Sequence, residues 1–282
     1  MQAPLDLTIA IPVKNEARNL PGCIAAIGTD LAQQIVIIDS GSTDGTKSIA
    51  AANGIALIDF EWDGHFPKKR NWYLRHHTPT TKWVLFLDAD EYLTQEFKTV
   101  LRAALTGDDS IDGYWLNYTI FFMGKNLKGG YPLKKLALFK VGKGEYERID
   151  EDRWSKLDME IHEHPIIDGK IGEIKSKIDH QDFRGIAHYI TKHNEYAAWE
   201  AARYMKANAD SAAKQNWTWK QQLKYRMMAS VWIGPIYFIG SFILLGGFRD
   251  GKRGLAFSML KMAYFNQIYI AIKEAQHQTS LP

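Results

Sequence analysis

Short apolar runs alternate with more polar, helix-like segments along the amino-terminal part of the chain. The apolar runs, which we interpret as β-strands, cover residues 7–11, 35–38, 55–58 and 83–87. The first run is predicted to end at Pro12, and helices are predicted from near Asn19 to Gly28, from the loop 40–45 to Asn53, and over residues 68–76. Unbroken apolar strands are usually covered on both faces. The pattern therefore predicts an α/β fold, with a mostly parallel sheet and helices on both faces.

The pattern changes further along the chain. Strand-like runs at residues 114–120 and 136–140 indicate a mixed β region that extends the sheet, and residues 187–209 are predicted to be helical. We expect two regions: an α/β domain over residues 1–185 and a helical region over residues 186–282.

The helical region contains an uncharged stretch, residues 229–248, of about the length that spans a hydrocarbon core. It is interrupted by Gly234-Pro235, Gly240 and Gly246-Gly247, and basic residues flank it. One interpretation is a monotopic anchor or re-entrant hairpin on an anionic membrane surface. The other is a helical hairpin packed on the domain, or a dimer interface.

Composition narrows the class of protein. The 282 residues are 46% hydrophobic and 24% charged, as in a globular chain, and the net charge of +3 is too small to favour nucleic acid as a partner. The single cysteine, Cys23, excludes an intrachain disulfide framework and fits a reducing compartment. The amino terminus has neither the basic nor the apolar region of a secretory signal, so we expect a cytoplasmic protein. These features do not set the oligomeric state.

Acidic and polar residues follow the predicted strands. Asn15 and Glu16 follow the first strand, Asp39 ends the second, and Asp88 and Asp90 follow the fourth. In open α/β sheets, ligands bind at the carboxyl ends of the strands. Two carboxylates two positions apart can approach one divalent cation, and such a cation can hold a diphosphate.

Two common phosphate-binding motifs are excluded. Residues 41–48 contain glycines, a lysine and a serine, but their spacing is not that of a P-loop, and Asp44 would repel phosphate there. The dinucleotide fingerprint Gly-x-Gly-x-x-Gly is also missing, which argues against a nicotinamide enzyme.

Four segments occur in an order that points to a known family. Residues 11–16 read Ile-Pro-Val-Lys-Asn-Glu, residues 37–46 read Ile-Ile-Asp-Ser-Gly-Ser-Thr-Asp-Gly-Thr, residues 69–71 read Lys-Arg-Asn, and residues 87–91 read Leu-Asp-Ala-Asp-Glu. In these segments, over about residues 5–185, the chain resembles family 2 glycosyltransferases of the GT-A fold. It looks most like the branch of lipopolysaccharide-core and exopolysaccharide β-glycosyltransferases.

The resemblance implies a role for each matching residue. The resemblance implies that Pro12, Val13, Asn15 and Glu16 surround the nucleoside of a nucleotide-sugar and that Asp39 contacts its base. It places Lys69 and Arg70 near the diphosphate, Asp88 at the ribose or donor sugar, and Ala89 and Asp90 beside them. Asp90, with Asp88, would hold Mg²⁺ or Mn²⁺, since hard oxygen ligands suit a hard cation.

Inverting sugar transfer requires a base on the acceptor side. In the branch that the chain resembles, a His-Glu pair follows the sheet, and here that pair is His162 and Glu163. We expect Glu163 to be the base and His162 to assist at the cation or the diphosphate. An exposed charged turn and a zinc site are the alternatives for this stretch, and Glu160 and the acids at 150–152 are further candidates for the base.

The resulting hypothesis is an inverting glycosyltransferase that uses a UDP-sugar and a divalent cation. It would extend a lipid-linked or cell-envelope glycan one sugar at a time at the cytoplasmic face of the membrane. One sugar per encounter is favoured because no Gln-x-x-Arg-Trp motif of processive synthases is present. The alternatives are a sugar-phosphate nucleotidyltransferase, which usually has a glycine-rich loop where this chain reads Lys14-Asn15-Glu16, and a non-catalytic glycan-binding protein.

Overall fold

A computed structural model of the chain describes residues 3–148, 157–160, 164–209 and 219–279. The chain divides into two compact units. The first unit contains residues 1–121 and 133–183, and the second contains residues 122–132 and 184–282. The chain therefore leaves the first unit at residue 122 and returns to it at residue 133.

The first unit consists of a large sheet with its covering helices and a small two-stranded sheet. Its strands are β1 (Leu5–Val13), β2 (Ala32–Asp39), β3 (Ala56–Asp59), β4 (Trp83–Phe86), β5 (Glu91–Tyr92), β6 (Ile111–Phe122), β8 (Leu133–Lys140), β9 (Gly144–Tyr146), β10 (Pro165–Ile167) and β11 (Lys170–His180). Its helices are α1 (Leu20–Ile27), α2 (Thr46–Ala52), α3 (Lys69–His76) and α4 (Gln95–Thr106).

The large sheet has the strand order β3-β2-β1-β4-β8-β6-β11-β5. Strands β3, β2, β1 and β4 are parallel, and β6 and β11 run parallel to each other. Strand β8 is antiparallel to both β4 and β6, and the short β5 is antiparallel to β11. The predicted mostly parallel sheet is therefore confirmed, and the predicted mixed β region does extend it.

Alternate residues of the central strands pack on opposite faces of the sheet. In β1, Leu7, Ile9 and Ile11 join a core that includes residues of α1, α2 and α4. Ala10 lies on the other face, in a second core with Tyr73 of α3. This two-sided burial explains the unbroken apolar runs in the sequence, and it confirms the prediction of helices on both faces.

The prediction that the first strand ends at Pro12 is wrong. Strand β1 continues to Val13, and Pro12 stands opposite Ile38 of β2. Neighbouring residues of a strand direct their N–H and C=O groups to opposite sides. Ala10 O accepts from Leu87 N on the β4 side, and the pairing of β1 with β4 stops at Ala10. Pro12 faces that same side beyond the pairing, so its missing N–H costs no ladder hydrogen bond.

The second unit is mainly helical. It contains the short strand β7 (Lys125–Asn126), the helices α5 (Ile186–Ala209), α6 (Trp219–Met228), α7 (Ile233–Ile239) and α8 (Gly251–Thr279), a π-helical turn (Gly240–Leu244) and a 3₁₀ turn (Gly247–Asp250). Its core joins α5 and α8 through Ala197, Ala201, Tyr264, Ile268 and Ile272.

The uncharged stretch 229–248 is not one continuous helix. It divides into α7, the π-helical turn and a turn at Leu245-Gly246, where Gly246 has a φ of 76°. Within the described ranges, one helical stretch, Gly247–Gln278, is long and apolar enough to cross a membrane by length and composition. One face of that stretch, which includes Tyr264, Ile268 and Ile272, packs in the core of the second unit.

Candidate active site

The loops that follow β1 and β2 are joined by hydrogen bonds. Asn15 N donates to Ser42 Oγ at 2.8 Å, and the side-chain oxygen of Asn15 accepts from Thr43 N at 2.8 Å. Glu16 N donates to Thr46 Oγ1 at 2.9 Å. Asn15 has a φ of 56°, a left-handed conformation that asparagine tolerates better than most residues. These bonds make the two loops one wall at the carboxyl edge of the sheet.

Asp39 helps to shape this wall. Its fully buried carboxylate accepts from both the backbone N–H and the hydroxyl of Ser42, and Lys47 Nζ lies 3.6 Å away. Those bonds fix the turn that follows β2. The role of Asp39 at a nucleotide base stays a prediction.

A cavity of about 610 Å³ opens at the carboxyl ends of β1, β2 and β3. The residues that line it are Lys14, Ser40, Gly41, Asp59, Phe60, Glu61, Trp62 and Asp158. The Trp62 indole is fixed because its N–H donates to His65 O and Lys68 Nζ lies 5.9 Å from the ring centroid. The volume and the mixture of aromatic and polar walls suit a ligand of nucleotide size.

Helix α3 begins beside this cavity without a capping side chain of its own. The short segment 157–160 supplies the acceptors instead. Lys69 N donates to Asp158 O at 3.1 Å, and Arg70 N and Asn71 N donate to the Glu160 carboxylate at 3.0 and 3.1 Å. A carboxylate at the amino-terminal end of a helix also interacts favourably with the helix dipole. The buried Glu160, a further candidate for the base, thus binds the first turn of α3.

Lys69 and Arg70 are both buried. Lys69 Nζ donates to Val13 O at 3.0 Å and lies 3.4 Å from a carboxylate oxygen of Asp158, which lines the cavity. Burial lowers the pKa of Lys69. The Arg70 guanidinium donates to Glu160 O and, at 2.7 Å, to Asp88 Oδ1. Two cations therefore extend from the cavity towards the end of β4.

Asp88 binds two cations. Besides Arg70, Lys135 Nζ lies 2.6 Å from Asp88 Oδ2 and 2.6 Å from Glu91 Oε1. Burial acts to raise the pKa of Asp88, but Lys135 and Arg70 outweigh it and hold that pKa well below its usual value. The buried Glu91 in turn accepts from Asp88 N at 3.1 Å. Asp88 is thus ionised and fixed in orientation.

Asp90 and Ala89 are buried beside this cluster. A carboxylate oxygen of Asp90 lies 3.5 Å from His180 Nε2, at the end of β11, and Asp90 O accepts from Gln181 N at 2.8 Å. In the part of the chain that the structure describes, no three or more His, Cys, Asp or Glu side chains form a group that could hold a metal ion. Asp90 and His180 together offer one oxygen and one nitrogen ligand. That set fits a cation that takes its other ligands from a diphosphate and water.

Sequence reasoning missed Lys135 and His180. Neither lies in a recognised motif, and each enters from a strand that is distant along the chain. The signal that His180 offered was its position at the carboxyl end of a strand parallel to β6. Lys135 gave a weaker signal. It lies near the start of β8, and because β8 is antiparallel to β4, the start of β8 lies at the edge where β4 ends. Glu163 and His162 lie outside the described residues, so their roles stay predictions.

Comparison with known proteins shows which family the amino-terminal part of the chain is similar to. Residues 8–145 match the model of glycosyl transferase family 2. The matched range contains both joined loops, Lys69, Arg70, and the Asp88-Ala89-Asp90 segment. The resemblance noted in the sequence is confirmed: over residues 8–145 the chain is similar to glycosyl transferase family 2.

Similar proteins differ in how much of their length they share. The chain is 25% identical over 273 residues to the lipopolysaccharide core biosynthesis glycosyltransferase LpsC of Rhizobium meliloti, with 92% of this chain and 89% of LpsC covered. It is 33% identical over 109 residues to a TPR repeat-containing protein of Synechococcus elongatus, with 39% of this chain and 26% of that protein covered. The chain therefore spans about a quarter of the length of this second relative.

A solved structure with similarity along the chain is the mannosyltransferase PcManGT from Pyrobaculum calidifontis in complex with GDP-Man and Mn²⁺. It is 16% identical with a TM-score of 0.49, and 95% of this chain and 87% of that chain are covered.

Proposed function

We propose that this protein is an inverting glycosyltransferase that moves one sugar from a nucleotide-diphosphate sugar, a UDP-sugar, to a lipid-linked or lipopolysaccharide or exopolysaccharide acceptor. The acceptor would lie at the cytoplasmic face of the cell membrane. One observation carries the proposal: the cavity, the cations Lys69 and Arg70, and the carboxylates Asp88 and Asp90 form a continuous series at one sheet edge. That series matches a nucleoside, a diphosphate and a sugar in order.

The nucleoside would occupy the cavity against the wall that Pro12, Val13, Asn15 and Glu16 help to build. A flat base could stack on Trp62, whose ring is fixed in the cavity wall. Lys69 and Arg70 would lie near the diphosphate, where their charges favour an anionic leaving group. Asp88 is ionised and fixed, so it can accept hydrogen bonds from ribose or sugar hydroxyls.

Asp90 would hold a divalent cation, with His180 as a second ligand and Asp88 nearby. When bound, this cation would neutralise the negative charge of the diphosphate. A nitrogen ligand is softer than a carboxylate oxygen, so its presence favours Mn²⁺ over Mg²⁺. Asp88 fits direct ligation less well, because Arg70 and Lys135 already bind its two oxygens.

In the proposed reaction, an acceptor hydroxyl oxygen attacks the anomeric carbon from the face opposite the leaving group. A carboxylate, for which we propose Glu163 with His162 beside it, takes the hydroxyl proton. The bond from the anomeric carbon to the diphosphate oxygen breaks, and its electron pair leaves with the nucleoside diphosphate. Arg70 would stabilise that growing charge. The similarity to LpsC supports a cell-envelope glycan as the acceptor.

The donor site is tested with Asp90→Asn. Release of UDP from a panel of UDP-sugars is measured with Mn²⁺, with Mg²⁺ and with chelator, and UDP binding is measured by calorimetry. We expect Asp90→Asn to lose cation-dependent UDP binding and hydrolysis. Asp168→Asn is the matched control, because the Asp168 side chain is 93% exposed at a turn. Full cation-dependent turnover by Asp90→Asn would refute the proposed site.

The base is tested separately with Glu163→Gln. We expect this variant to bind UDP as the parent protein does and to lose sugar transfer, since an amide cannot take the acceptor proton. Transfer is measured on acceptor glycans extracted from cell envelopes. Turnover equal to that of the parent protein would assign the base to another residue.

A further inference from the structure

The second unit exposes a stripe of large apolar side chains. Trp232, Ile236, Ile239 and Ile243 recur at helical spacing along α7 and the π-helical turn, and all are exposed. The stripe leads to a segment that we call the tip, residues 243–248. In the tip, Ile243 is 54% exposed, Leu244 79%, Leu245 47% and Phe248 58%. Apolar side chains this exposed and this close together mark an interaction surface.

The backbone of the tip is hydrogen-bonded within the second unit. Leu245 N donates to Gly240 O at 2.8 Å, Gly246 N to Ile243 O at 3.2 Å, and Arg249 N to Gly246 O at 3.1 Å. Leu245 O accepts from Gly130 N at 2.9 Å. A turn can enter an apolar medium only where its polar backbone groups have partners, and these groups have them.

Close glycine packing holds the tip in place. A Cβ on Gly129 would stand 2.7 Å from Leu245 O, and one on Gly247 would stand 2.8 Å from Ser241 O. Ser241 Oγ donates to Gly130 O at 2.6 Å. The apolar side chains of the tip are therefore presented by a fixed scaffold, which lowers the entropy that binding would cost.

The segments that flank or contact the tip carry more cations than acids. Residues 122–132 and 229–262 contain six lysines and arginines and one acid, Asp250. The Asp250 carboxylate accepts from Lys128 N and Gly129 N, so it is engaged in local structure. Arg249 and Lys252 follow the tip directly and are exposed. Apolar side chains beside such cations match the acyl chains and phosphates of an anionic bilayer.

We propose that the tip inserts Leu244, Leu245 and Phe248 into the surface of an anionic lipid bilayer, with Arg249 and Lys252 on the headgroup phosphates. The proposal deepens the proposed function, on which it rests for the location of the acceptor. Insertion is shallow, because α8 continues from the tip with one face packed in the protein core. The enzyme would thus lie on the membrane that carries its acceptor.

The test is cosedimentation of the full chain with phosphatidylcholine vesicles, with and without phosphatidylglycerol. We expect Leu244→Ser, Leu245→Ser and Phe248→Ser together to weaken vesicle binding by about tenfold or more. Arg249→Gln with Lys252→Gln should lose only the preference for phosphatidylglycerol. Ile270→Ser is the matched control, because Ile270 is 61% exposed on α8 outside the tip. Parent-like binding by the triple variant overturns the proposal.

A second measurement does not depend on the triple variant folding. Cys23 is fully buried, so a fluorophore sensitive to polarity can be attached selectively at Phe248→Cys. Its emission should rise when anionic vesicles are added, and unchanged emission overturns the proposal. Light scattering is the third readout. A loss of dimer in the triple variant with vesicle binding retained would make the tip a contact between copies, which also overturns it.

Hydrolysis of UDP-sugar without vesicles separates this proposal from the proposed function. Loss of vesicle binding with parent-like hydrolysis supports the tip as the membrane contact. Hydrolysis absent from every sample, with vesicle binding intact in the parent protein, refutes the proposed function and leaves the membrane contact supported.

Discussion

Replacement of Glu160 tests how the cationic end of α3 is held. Its buried carboxylate accepts the backbone N–H groups of Arg70 and Asn71 at 3.0 and 3.1 Å. Glu160→Ala leaves both donors buried without that acceptor, at about 1–3 kcal/mol each. We therefore expect the free energy of unfolding to fall by about 4 kcal/mol. Glu160→Gln keeps one acceptor oxygen, so its loss should be about 2 kcal/mol.

The assay is urea unfolding followed by circular dichroism and tryptophan fluorescence. Glu145→Gln is the matched control: Glu145 lies on β9 and pairs with Arg75 of α3 at 2.5 Å. Both side chains are exposed, so loss of this pair should cost less than about 1 kcal/mol. Glu160→Ala within about 1 kcal/mol of this control would refute the reasoning. Activity adds a second criterion. Folded Glu160→Gln should retain some transfer, whereas loss of all transfer at parent stability would make Glu160 the base.

Three further predictions concern other parts of the structure. Burial raises the pKa of Glu91 to about 7, above its unfolded value of about 4.5. The parent protein should therefore lose about 3 kcal/mol of its free energy of unfolding as the pH rises through that interval. In urea unfolding at several pH values, the stability of Glu91→Gln should depend less on pH than that of the parent. The same pH dependence of stability in the parent and in Glu91→Gln would contradict this prediction. In Gly254→Ala the new methyl group would clash with Gly247 O, so the free energy of unfolding, measured by thermal unfolding, should fall by about 1–3 kcal/mol or more. Gly240→Ala is the control: its methyl group would enter open space, and its stability should be unchanged. Equal melting temperatures for these two variants would contradict the close approach of Gly254 to Gly247. His180→Gln should weaken Mn²⁺-dependent UDP binding, measured by calorimetry, about tenfold or more, and should leave UDP binding without a cation unchanged. An equal loss of binding with and without Mn²⁺ would show that His180 is not a ligand of the cation.

The sheet and the acidic edge could be predicted from sequence because both depend on local pattern. Buried strands need unbroken apolar runs, and their carboxyl ends bring Asp39, Asp88 and Asp90 to one edge. Order along the chain was enough to place these residues. The continuation of β1 through Pro12 was not predictable, since it depends on where β4 stops pairing.

The partners of the site residues depend on long-range contacts. Lys135 is 47 residues from Asp88, and Glu160 is 90 residues from Arg70. No local pattern states that an antiparallel strand will bring a lysine to Asp88. Likewise, the run Lys68 to Arg70 has the composition of a solvated surface, yet all three side chains are buried. Their burial is a product of tertiary packing alone.

The path of the chain between β6 and β8 limits where the protein can be divided. Residues 122–132 belong to the second unit although both flanking strands belong to the first. A fragment that ended at residue 185 would keep this hairpin and lose Asp250 and Ser241, which bind it. Proteolysis or truncation near that residue would leave the backbone N–H groups of Lys128, Gly129 and Gly130 without their acceptors on Asp250 and Leu245. Shortened versions for crystallography would therefore require the hairpin to be replaced by a tight turn that connects β6 directly to β8.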